Sequence, residues 1–120
     1  DEGIPIFLYA SRQVDRADCV FSVNGDSMEP TYHNGDMVLV SRIPNAPDLH
    51  YGEVGAFISG NETYIKVCEK DGLHSLNPAY ATMKFDGDSN VFLIGRVIGI
   101  LDPEQIALEE DVDRYLAAKG

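Results

Sequence analysis

Short runs rich in β-branched and aromatic residues recur along this chain between turn signals, and that pattern constrains the fold more than any other feature. The runs are Cys19–Asn24, Met37–Ser41, Val54–Ser59, Glu62–Glu69, Leu73–Asn77 and Val91–Leu101, with composition and lengths suited to strands. Asn34-Gly35, Gly60-Asn61, Asp71-Gly72 and Asp86-Gly87 fall between them and supply the tight or left-handed positions that reverse a chain. Val54–Ser59 and Glu62–Glu69, joined across Gly60-Asn61, read as a hairpin. The expected fold class is mainly β. The chain has 120 residues, 44% of them hydrophobic, which suffices for one core. A boundary in the loop Pro44–Tyr51 would leave halves too small to fold alone. One domain over residues 1–120 is expected, with a strand-rich core at about 17–101.

The C-terminal end changes character. Asp102 can cap a helix whose first position is Pro103, and Gln105 completes a capping-box pattern. A helix over about 103–118 is expected. Leu108, Val112, Tyr115 and Leu116 fall on one of its faces, so it should pack on the domain or on a partner. Glu104 and Glu109 to Asp111 read as its solvated side.

Nine Lys and Arg against twenty Asp and Glu give a formal charge of −11, which repels a phosphate backbone. DNA binding, if it occurs, is expected only through another segment. The longest apolar stretch, Val91 to Leu101, is interrupted by Arg96 and falls well short of the roughly 20 residues a spanning helix needs. No membrane partner is expected. A chain opening on Asp1 is expected to be a trimmed piece of something longer. Cys19 and Cys68 are too few and too far apart for a metal box; they read as small buried hydrophobes, with a disulfide as the alternative, and the default compartment is the cytoplasm. No cofactor or metal is expected.

The chemistry concentrates in Gly25-Asp26-Ser27-Met28-Glu29-Pro30-Thr31, followed by Gly35-Asp36 and the apolar strand Met37-Val38-Leu39-Val40. Gly25 permits a sharp turn after the strand, and Ser27 then opens a short helical turn limited by Pro30. Such a turn exposes a hydroxyl beside unpaired backbone N–H donors, which suit a developing oxyanion. An arbitrary Gly-Asp-Ser, by contrast, only punctuates a turn. A nucleophilic serine needs a base. His33, His50 and His74 are candidates for a triad, although all lie among polar turn residues and Ser27 lacks the following glycine of a nucleophile elbow. Of the four lysines, only Lys66 lies in the middle of an apolar strand. Period-two alternation sets Tyr64, Lys66 and Cys68 on one face, opposite Thr63, Ile65 and Val67. Taken alone, Lys66 reads as an outward, solvated lysine. Beside the serine motif it reads as a desolvated amine able to act as a base near neutral pH.

These residues resemble the self-cleaving LexA/UmuD-like repressor peptidases. The likeness rests on Gly25-Asp26-Ser27-Met28-Glu29-Pro30-Thr31, on Gly35-Asp36-Met37-Val38-Leu39-Val40, and on Tyr64-Ile65-Lys66-Val67. Weaker agreement runs through Leu76-Asn77-Pro78-Ala79-Tyr80 and Leu93-Ile94-Gly95-Arg96-Val97-Ile98-Gly99. The resemblance implies a LexA-like peptidase β-fold and a Ser-Lys dyad, with Ser27 as nucleophile and Lys66 as general base. It further implies an oxyanion hole formed by the backbone N–H groups of Asp26 and Ser27. It implies a transcriptional repressor of the SOS-response type that dimerises through this domain and carries its DNA-binding helix-turn-helix on a separate N-terminal domain. Its own cleavage segment would be the substrate, driven into the cleft by a RecA-type filament.

Two departures bear on that expectation. Bacterial type I signal peptidases are similar over the serine motif but usually place arginine after the lysine and carry a membrane segment, whereas Val67 follows Lys66 here. The family cuts an Ala-Gly or Cys-Gly bond, and this chain contains neither pair. The cut site is therefore expected upstream of Asp1. The alternatives are a catalytically idle dimerisation or sensing domain and a signal-peptidase relative. Val91–Leu101 is apolar on both faces, which a small domain cannot easily cover, so a homodimer is expected to use this region.

Overall fold

The computed structural model describes residues 4–84 and 90–120; the Asp86-Gly87 turn expected from sequence lies outside them. Six antiparallel strands form one sheet: β1 Cys19–Ser22, β2 Met37–Arg42, β3 Val54–Ser59, β4 Glu62–Glu69, β5 Gly72–His74 and β6 Phe92–Ile100. Their spatial order is β1-β2-β6-β3-β4-β5. The β3–β4 hairpin closes with Ser59 opposite Glu62, as the Gly60-Asn61 turn requires. β6 inserts between β2 and β3, with register shifts at Leu39/Val40 and at Ala56/Phe57. Gly95 makes that insertion possible, because a Cβ there would lie 2.2 Å from the Ser41 carbonyl oxygen.

Two hydrophobic clusters follow from strand alternation. Val23, Met28, Val38, Val40, Ala56, Ile65 and Val67 form one. Ile43, Leu49, Phe57 and Leu73 form the other, with Tyr64 and Cys68 packed against it. Consecutive residues of β3 and β4 thus serve opposite clusters. Both cysteines are free and half-buried; burial pushes each thiol above its usual pKa.

The C-terminal segment departs from the single expected helix. The Asp102/Gln105 capping box forms, but it caps only a 3₁₀ turn, Pro103–Gln105. The chain then extends, with Leu8 bridging Ile106 and the Ala107 N–H donating to the Phe7 carbonyl at 2.9 Å. Helix α2 begins only at Glu109 and runs to Lys119. Pairing with the N-terminal segment accounts for the break, because an extended 106–108 cannot also be helical. A short helix α1, Arg12–Asp15, capped by the Ser11 side chain, precedes β1. No residue of α2 is buried, and Leu108, Tyr115 and Leu116 remain about half-exposed. Among the described residues no helix is long and apolar enough to cross a membrane.

Candidate active site

The turn after β1 is fixed at both ends. The Val23 N–H donates to the Asp36 carbonyl at 2.8 Å and the Gly35 N–H returns a bond to Val23 at 2.9 Å. Gly25, expected to permit a sharp turn, adopts the left-handed φ +80, and its N–H donates to Asn34 Oδ1 at 2.7 Å. Asp36 closes the loop by accepting from the His33 N–H. Ser27 follows, half-buried, and Met28 drops into the first cluster with only 1% exposure. In place of the expected helical turn the chain makes a non-helical turn over Ser27–Thr31, with a cis Glu29–Pro30 peptide, closed by the Tyr32 N–H on the Met28 carbonyl at 3.0 Å.

Lys66 approaches from the sheet. β5 pairs with β4 only as far as Val67 opposite His74, so Lys66 stands where the edge strand departs, and Ser75 is the first residue beyond it. Lys66 is 7% exposed, the sole buried charged residue among those described. Its Nζ lies 3.0 Å from Ser27 Oγ and 2.7 Å from Ser75 Oγ, donating to both. The Tyr80 ring faces it at 5.8 Å. Burial disfavours the ammonium and lowers its pKa from the usual lysine value of 10.5. The solvated lysine suggested by the strand alone is therefore not what the fold contains.

The histidines stand apart. His74 pairs with Asp71 at 2.6 Å, His33 lies 3.7 Å from Glu29, and the His50 N–H donates to Glu53. None of the three imidazoles hydrogen-bonds Ser27, so the structure brings together the serine and the lysine and leaves the triad candidates elsewhere. The Asp26 and Ser27 N–H groups donate to no acceptor among the described residues. Asp26, Ser27 and Lys66 border a cleft of about 530 Å³ that is also lined by Asn61–Tyr64. No cluster of three or more His, Cys, Asp or Glu side chains suited to a metal occurs among the described residues.

Two contributors were not singled out in the sequence. Ser75 has no motif of its own and becomes visible only through its contact with Lys66. Asn77 lies in the Leu76–Tyr80 run noted for its family likeness, but nothing in that run discloses that it touches the serine loop. Its backbone N–H donates to the Ser27 carbonyl at 2.9 Å and its Nδ2 to the Asp26 carbonyl at 3.1 Å.

An all-antiparallel sheet that brings a turn serine onto a buried lysine is the setting of a peptidase-like β domain. A family model described as Peptidase S24-like matches residues 5–98, well over half of the chain, and the chain belongs to that family, the one that includes LexA/UmuD-type peptidases. A search of curated proteins gave no match.

Proposed function

We propose that this chain is a Ser-Lys peptidase domain of a LexA-like transcriptional repressor, with Ser27 as nucleophile and Lys66 as general base. The observation that carries this reading is the 3.0 Å approach of Lys66 Nζ to Ser27 Oγ by an amine 7% exposed. A buried lysine reaches its neutral form more readily than a solvated one, and only the neutral amine has a lone pair to accept the serine proton.

The chemistry then runs in two halves. Ser27 Oγ bonds to the scissile carbonyl carbon as its proton passes to Lys66 Nζ, and the carbonyl π electrons move onto oxygen. Two backbone N–H groups, those of Asp26 and Ser27, meet that oxyanion. Its collapse breaks the C–N bond, and the departing nitrogen takes the proton from the Lys66 ammonium. Water then attacks the acyl-serine with Lys66 again accepting a proton; the tetrahedral adduct releases the acid, and Ser27 Oγ recovers its hydrogen from the ammonium. Ser75 Oγ, by accepting one N–H of the amine, leaves the lone pair directed at Ser27.

We place the target bond outside residues 1–120, in the chain's own cleavage segment, because the Ala-Gly and Cys-Gly pairs cut by the family are absent from the sequence. The same reading assigns DNA contact to another domain, a cytoplasmic setting, a RecA-type filament as the inducing partner, and a homodimer using the half-open α2 stripe and the partly exposed β6. Sedimentation at high micromolar concentration should show a dimer, and a monomer alone would remove that part. The peptidase itself is tested with a fluorophosphonate and with a peptide carrying Ala-Gly between apolar residues. Ser27 should be labelled and the peptide cut at that bond, while residues 1–120 stay intact on long alkaline incubation. Neither labelling nor cleavage would instead favour an idle sensing or dimerisation domain.

A further inference from the structure

The Asn77–Tyr80 segment grips the serine loop at three points: the Asn77 N–H on the Ser27 carbonyl, Asn77 Nδ2 on the Asp26 carbonyl, and the Tyr80 hydroxyl on the Asp26 carboxylate. The segment is itself rigid. Asn77 Oδ1 accepts from the Ala79 N–H at 3.0 Å, the Asn77 carbonyl accepts from the Tyr80 N–H at 3.1 Å, and Pro78 lies between. Those bonds settle which way the amide faces. Ala79 N–H can only donate and the Asp26 carbonyl can only accept, so Nδ2 must point at Asp26.

The Asp26 carbonyl and the Ser27 N–H belong to one trans, planar peptide unit and therefore point in opposite directions. Asn77 is not among the residues bordering the cleft, so it holds this unit from behind. The Glu29 N–H also reaches the Asp26 carbonyl, at a longer 3.2 Å, so the Asn77 amide at 3.1 Å is a second donor to the same oxygen. We propose that Asn77 is the positioning residue of the oxyanion site: its side-chain amide fixes the Asp26–Ser27 peptide so that the Ser27 N–H projects into the cleft. This rests on the Ser-Lys reading above.

The variant Asn77→Ser is neutral, retains an oxygen for the Ala79 N–H, and removes the donor to Asp26. Against the Ala-Gly peptide it should lower kcat by about tenfold to 100-fold, since small misplacement of a preorganised donor costs that much. KM should stay within about twofold, because the oxyanion contact exists only in the transition state. The pH midpoint of kcat, which belongs to Lys66, should not move, and affinity for a peptidyl boronate should fall in step with kcat. A merely structural role would not produce that split. Unchanged kcat, a rise in KM alone, or a displaced pH midpoint would each overturn the assignment. Should that variant fail to fold, Asn77→Asp, which keeps an acceptor for the Ala79 N–H and likewise lacks the donor to Asp26, should show the same fall in kcat with KM held, and an unchanged kcat there overturns the proposal. Wild-type cleavage with a fully active Asn77→Ser defeats this inference alone. A wild-type chain that neither cleaves nor labels defeats the Ser-Lys reading and this inference with it.

Discussion

Two hollows lined by described residues are of similar size and opposite construction. One, of about 620 Å³, lies between the N-terminal segment, the edge strand β1 and α2, and is walled largely by Phe7, Leu8, Val14, Val20, Val112 and Tyr115. The other is the smaller cleft at Ser27, bordered by turn backbone, a buried amine and the β3–β4 turn. The larger hollow has largely apolar walls, with Cys19 among them and an exposed Tyr9–Asp111 bond at 2.5 Å, but no serine beside a buried amine. Volume therefore does not point to the proposed dyad. What sets the cleft apart is that each group of that dyad is held by a neighbour: Ser27 by Met28 and Asn77, Lys66 by Ser75.

The strongest test of that contrast is removal of the proposed Ser-Lys pair. Ser27→Ala and Lys66→Met should each cut peptide hydrolysis by at least about 10³-fold, as nucleophile and base act as a unit. Full activity in Lys66→Met, or a comparable loss in His50→Ala or His74→Ala with the fold intact, would break it.

The next effect is on pH. The rate should rise with pH and level off at a midpoint below the usual lysine value of 10.5, because only the neutral amine is competent. Linkage gives a matching stability change. The unfolded chain keeps the Lys66 proton to higher pH than the folded one, so stability should increase as pH rises through the folded-state value towards 10.5. Lys66→Met should lose that increment in a denaturant titration run at several pH values. A flat rate profile would contradict the lysine's role.

Ser75→Ala sharpens the comparison further. The plateau rate should drop by about tenfold as the lone pair loses its orientation. The midpoint should move to lower pH, since the ammonium loses an acceptor 2.7 Å away. A midpoint displaced upward, or no change in plateau, would mean that Ser75 only fills space.

The smallest effect is expected in the apolar hollow. Phe7 meets Tyr115 edge-on with centroids 6.3 Å apart, and Phe7→Ala should cost about 1 kcal/mol of stability while leaving kcat and its pH midpoint in place. A change in kcat larger than about twofold, measured on the folded fraction, would show that the two hollows communicate.

How much of this the sequence disclosed depends on whether the cause was local. The β3–β4 hairpin has the same ends in sequence and in structure, because alternation and the Gly60-Asn61 turn are short-range. Lys66 was legible for the same reason, as a charge inside an apolar strand. Leu73–Asn77, expected as a strand, stops at His74, since Ser75 turns to Lys66 and Asn77 to the serine loop. The helix expected from residue 103 breaks because residues 106–108 pair with a segment about a hundred positions away. Helix α1 did carry a local signal, the Ser11 cap, which the strand pattern overshadowed. Asn77 was missed because the loop it touches lies about fifty positions away, and Ser75, only nine residues from Lys66, because it turns out of the strand pairing that the alternation suggests.

Met28 carries a consequence for how such a domain can change over generations. The serine's immediate neighbour is part of the hydrophobic core, so substitutions on the serine side of the cleft must satisfy packing as well as chemistry. Asn61 and Glu62, on the opposite wall, are exposed at the tip of a hairpin and answer to neither. Tolerance to mutation is thus lopsided across a single cleft, and on the Ser-Lys reading new substrate preferences have room to arise at the hairpin tip while the serine wall stays as it is.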